Sequence, residues 1–191
     1  MKINAIKSIC KQSSTIFIMD DLNGRQWLGT ENAVYAVESG LKINQYNVSA
    51  LFDFTDAEAD SFRIYQANID DERYQNDPMP GEGEPCSRYP LLITAMGGTY
   101  IPLGTPQGML FLDIELIKPI ERKNVPLECY VREADGKPLL LAIYRDMAEV
   151  AALVKPMSGD LAEDLLTRLR GVFAGVVARD TKDKPEDGRK A

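Results

Sequence analysis

Two stretches of this chain, 14–37 and 127–156, share one order of elements: strand, tight turn, strand, turn, strand. The first, "STIFIMDDLNGRQWLGTENAVYAV", is rich in β-branched and aromatic residues and is broken by Asn23-Gly24. Asn-Gly between two such runs is the strongest short-range hairpin signal, because a primed turn needs positive φ at its central residues. The second, "LECYVREADGKPLLLAIYRDMAEVAALVKP", places Asp135-Gly136 against Asn23-Gly24 and Leu139 and Leu140 against Trp27 and Leu28. After a two-residue shift Asn32 stands against Asp146, so an internal duplication is considered, with repeat units 1–67 and 91–178. In the first hairpin Trp27 is expected to anchor the core, and Gly29 to mark a bulge or a close backbone approach. Asp20 and Asp21 read as a solvated strand end before the turn.

A short helix precedes the first meander. Ile3, Ile6, Ile9 and Cys10 recur at three- and four-residue spacing, with Lys7 and Lys11 on another face. "NQYNVSALFDF" predicts a short helix, and "SFRIYQA" a further strand. "PLLITAM", "GTYIPL" and "GMLFLDIELIKPI" follow as strands. In the last of these, Phe111, Asp113 and Glu115 alternate with Leu110, Leu112, Ile114 and Leu116. From Ser158 an amphipathic helix is expected, with Asp160, Glu163 and Asp164 in its first turns and a leucine-rich stripe including Leu165 and Leu169. The tail 179–191 is charged and free of large apolar residues, which predicts disorder. The fold class is therefore α+β: antiparallel meanders with two or three packed helices in one domain, 1–178.

Composition excludes several chemistries. The chain has no histidine, which removes Ser-His-Asp and Cys-His catalysis and the HExxH metal site. Its three cysteines, Cys10, Cys86 and Cys129, form no C-x-x-C pair, so free thiols are expected. "MGGTYIPLGTPQG" is glycine-rich but fits no phosphate-binding loop, and reads as turns between strands. No apolar run is long enough for a membrane helix and no leader is recognisable at the start, so a cytoplasmic location is expected.

Three charged clusters are candidate sites. Net charge is −7, yet the first 19 residues hold Lys2, Lys7 and Lys11 and no acid. With Arg168 and Arg170 of the last helix they would form a strip for DNA phosphates, without base readout. Residues 68–90 carry Asp70, Asp71, Glu72, Asp77, Glu82 and Glu84 among prolines and glycines. This long exposed acidic loop is a candidate partner-binding segment. Asp113, Glu121 and Lys123 could serve a magnesium-dependent nuclease, although Pro119 interrupts the strand that should carry them.

Residues 1–37 together with "NVSALFDF" resemble prophage-encoded proteins of Gram-positive bacteria, which open with a helix, a Gln-Trp-Leu/Ile strand and an "LFD" helix. That resemblance covers about the first 55 residues and implies no activity. The order helix, three-strand meander, second such unit also resembles the repeated unit of DNA sliding clamps. It implies an accessory that encircles DNA as a homo-oligomer. The sequence thus predicts a non-enzymatic binding protein without cofactor or metal, its partner double-stranded DNA or a phage or host protein. The alternatives are an interaction module acting through 68–90 and the nuclease.

Overall fold

Alternation places apolar side chains on both faces of the meander strands, so both faces must be covered. The computed structural model describes residues 1–74, 83–106, 108–134, 136–145, 149–157, 162–167 and 169–171. Asp77, Glu82, Asp135, Asp146, Ser158, Asp160, Arg168 and all residues from Val172 onward, including the tail, lie outside the described residues. The chain divides into two compact units, Met1–Pro156 and Met157–Ala191.

In the first unit, helix α1 (Ile3–Ser13) leads into strands β1 (Thr15–Asp20), β2 (Gln26–Gly29) and β3 (Ala33–Ala36). Two short helices follow, α2 (Val48–Leu51) and α3 (Asp56–Asp60), and then β4 (Arg63–Asn68). The second meander is β9 (Leu127–Ala134), β10 (Lys137–Arg145) and β11 (Glu149–Val154). The two meanders meet through their last strands, with Tyr35 opposite Ala152 in an antiparallel pair. One seven-stranded sheet results, in the order β4-β1-β2-β3-β11-β10-β9. Six of its strands pair antiparallel along this path, as expected from the tight turns. β4 instead lies parallel to β1, because the α2–α3 connection carries the chain back to the start of the sheet.

The strand period of two divides the core. Ile16, Ile18, Leu28, Tyr35, Leu141 and Ile143 face one side, with Ile6, Ile9 and Cys10 of α1 in the same cluster. Met19, Trp27, Val34, Leu140, Ala142 and Tyr144 face the other. A second sheet covers the α1 side through Ile101, Leu103 and Leu112. It is built on β7 (Gly98–Thr105), flanked by β8 (Gly108–Asp113) and by β6 (Ile93–Ala95) and β5 (Ser87–Arg88).

The apolar alternation from Leu110 overstated one strand. β8 stops at Asp113, and Ile114–Ile117 form a 3-10 turn. The Asp113 carboxylate accepts from the Glu115 N–H at 2.9 Å, and this local side-chain bond competes with the ladder. The turn leaves the Leu116 carbonyl inside, where the buried Tyr35 hydroxyl donates to it at 2.9 Å.

In the second unit, residues 162–167 and 169–171 are helical, with Leu165 buried and Glu163 and Arg170 exposed, the two sides of the predicted stripe. Among the described residues no helix is long and apolar enough to cross a membrane.

Candidate functional site

The lysines of α1 do not stand free. Lys7 Nζ donates to the backbone carbonyl of Asp53 at 3.1 Å, and Lys11 Nζ pairs with Glu58 at 2.6 Å. Both ammonium groups lie over the Phe54 ring, at 5.2 and 5.8 Å from its centroid. Phe54 itself stacks on Phe62 at 4.6 Å. The aromatic α2–α3 segment therefore gathers the lysine stems, a common use of long amphipathic side chains. Thr55 and Glu58 form a capping box at the start of α3, which fixes the carboxylate that Lys11 meets. The Lys11 ammonium and the Thr55 N–H hold the Glu58 carboxyl down at about 2. Lys2 is exposed. Arg170 belongs to the second unit.

The acidic segment is partly docked rather than wholly exposed. The Arg73 guanidinium donates to both carboxylate oxygens of Asp71, and Arg132, buried in β9, donates to the Arg73 carbonyl at 2.8 Å. Ile69 and Tyr74 pack on the Trp27 side of the core. Asp70, Glu72 and Glu84 remain exposed. Glu72–Tyr74 make one 3-10 turn and Ser87–Arg88 one short strand, so the region is not entirely without local structure. Of the nuclease residues, Asp113 caps the turn after β8, whereas Glu121 and Lys123 are exposed in the following loop. Among the described residues no group of three or more Cys, Asp or Glu is placed to hold a metal ion.

A feature that sequence reading missed lies beneath the Asn23-Gly24 turn. There the two meanders enclose an open cleft of about 590 Å³, walled by residues 23–26, 36–42, Arg145 and Glu149. Arg25 donates from one terminal nitrogen to Glu149 at 2.9 Å, and Arg145 donates to the other oxygen of the same carboxylate at 3.4 Å. One carboxylate thus serves two guanidiniums. The Arg25 bond, seconded by both positive charges, keeps Glu149 below its usual range. Arg25 Nε is buried and has no hydrogen-bond partner among the described residues. Lys42, also on the wall, pairs with Asp20 at 2.6 Å. The spacing of Arg145 and Glu149 was visible, but Arg25 joins them only because β3 pairs with β11.

Comparison of the chain with family models, with curated proteins and with solved structures found no match.

Proposed function

We propose that this chain is a non-enzymatic binding protein, a phage-derived accessory of sliding-clamp type that contacts double-stranded DNA through phosphates. The observation that carries the non-enzymatic reading is that charged groups of the candidate clusters are engaged with one another, Lys11 with Glu58, Arg73 with Asp71 and Arg25 with Glu149, and the direction of the pKa shifts agrees. Among the described residues, each carboxyl that moves goes down: Glu38, Glu58, Asp71 and Glu149. Each thiol or phenol that moves goes up: Cys10, Cys86, Cys129, Tyr35, Tyr74 and Tyr100. A general acid or base is tuned toward neutral pH, and a nucleophilic thiol is tuned downward. All ten groups move the other way. Carboxylates become firmer ions and thiols firmer neutral groups, which suits ion pairing and packing.

Two features support the clamp-type reading. Each meander ends on the strand that joins it to the other, and α1, bearing Lys7 and Lys11 and capped by Lys2, packs over the first. Phosphate contacts by three lysines give modest, salt-sensitive affinity. The test is DNA retention at low salt for the parent and for a variant with Lys2, Lys7 and Lys11 changed to Glu. Loss of retention by a folded variant supports the reading. Equal retention by both, or none by the parent, overturns the DNA assignment.

A further inference from the structure

The cleft between the meanders is independent of the α1 lysines and has its own chemistry. Its polar wall holds Arg25 and Arg145, which together carry one positive charge more than Glu149 neutralises, beside Glu38, paired with the Met1 ammonium, and Lys42, paired with Asp20. Its apolar wall includes Val37, Ile120 and the half-exposed Leu41. Guanidiniums are planar donors suited to carboxylate and phosphate oxygens. The volume of about 590 Å³ lies within the usual range for small-molecule sites.

We propose that this cleft binds a small organic oxyanion, with a phosphate or carboxylate head between Arg25 and Arg145 and an apolar body against Leu41. Glu149 then acts as an internal stand-in for the ligand. Its carboxylate occupies the two guanidiniums when the site is empty, and a bound anion competes with it. Parent affinity is accordingly weak, and removing the charge of Glu149 strengthens binding. A purely structural ion pair behaves in the opposite way, since its loss frees no affinity for an added anion.

The test is calorimetric titration of the full chain with three probes: phenyl phosphate, benzoate and inorganic phosphate. Glu149→Gln keeps the shape and removes the charge, and is expected to bind the preferred aromatic anion about tenfold tighter than the parent. Arg145→Met is expected to bind it about tenfold weaker. Because Glu149→Gln predicts a gain, misfolding cannot imitate it. Tighter binding of phenyl phosphate names phosphate as the head group, and tighter binding of benzoate names carboxylate. Inorganic phosphate binding as tightly as phenyl phosphate would overturn the apolar half of the site. No saturable binding to Glu149→Gln, or weaker binding than to the parent, would overturn the site itself.

Discussion

The buried carboxylate of Asp21 accepts the indole N–H of Trp27 at 3.1 Å while its other oxygen accepts the backbone N–H groups of Asn23 and Arg25. One side chain thus orders the Asn-Gly turn and satisfies the polar atom of the fully buried tryptophan. The solvated strand end expected at Asp20 and Asp21 is therefore only half right. Asp20 reaches the surface pair with Lys42, whereas Asp21 is interior.

Asp21→Ala removes three hydrogen bonds and strands a buried indole donor. A loss of about 2–4 kcal/mol in unfolding free energy is expected. Asp21→Asn can keep the backbone contacts but turns an amide N–H₂ toward the indole N–H, so it recovers only part. Urea denaturation of the two variants checks the order, and equal stability of Asp21→Ala and the parent would refute it.

Gly29→Ala tests the second feature of the hairpin. A Cβ at this position would lie 2.1 Å from the backbone carbonyl oxygen of Ala33, the first residue of β3. That oxygen accepts the Thr30 N–H at 2.8 Å, so it has little freedom to retreat. A loss of about 3 kcal/mol is expected by thermal denaturation, against a few tenths for an exposed strand glycine. Here the expectation of a close backbone approach agrees with the structure.

Local signals made the meanders legible. Period-two alternation and the two Xaa-Gly turns place β1 to β3 and β9 to β11 within a residue or two, because each pairing is closed by its own turn. Longer-range pairing was not legible. Nothing in "SFRIYQA" tells that β4 returns parallel to β1, since that depends on the length and direction of the α2–α3 connection. The same limit hid the cleft: Arg25 and Glu149 are 124 residues apart and meet only through the β3–β11 pair. The surroundings of the lysines were hidden for another reason. Helical spacing showed which face Lys7 and Lys11 share, but not that Phe54 and Glu58 would be brought against it.

Cys10 predicts the alkaline limit of stability. Its thiol is fully buried and burial raises it from 9.0 to about 12. The unfolded chain ionises this group first, so its contribution is complete below pH 9.0 and is lost as pH rises toward 12. The urea midpoint should fall across that interval, and Cys10→Ala should fall less steeply from its own starting value. Parallel slopes for parent and variant would remove Cys10 as a cause. The native thiol should also react with Ellman's reagent only as fast as the fold opens.

Glu58 gives the acid counterpart, and it connects stability to the DNA reading. Its carboxyl is lowered from 4.5 to about 2, first by the Lys11 hydrogen bond and then by the Thr55 N–H. The Lys11 pair and the capping box are therefore complete above pH 4.5 and are lost as pH falls toward 2. In Lys11→Met the carboxyl should titrate closer to its ordinary range, read by NMR of the Glu58 side chain. Glu58→Gln leaves Lys11 without its countercharge. If α1 contacts phosphates, this variant should hold DNA more tightly than the parent, by about threefold for one freed lysine at low salt, with a steeper salt dependence. Tighter DNA retention by Glu58→Gln, together with loss by the lysine-to-glutamate variant, would tie both effects to the helix face. Unchanged retention in Glu58→Gln would mean that Lys11 serves the fold through Phe54 and Glu58 and takes no part in binding.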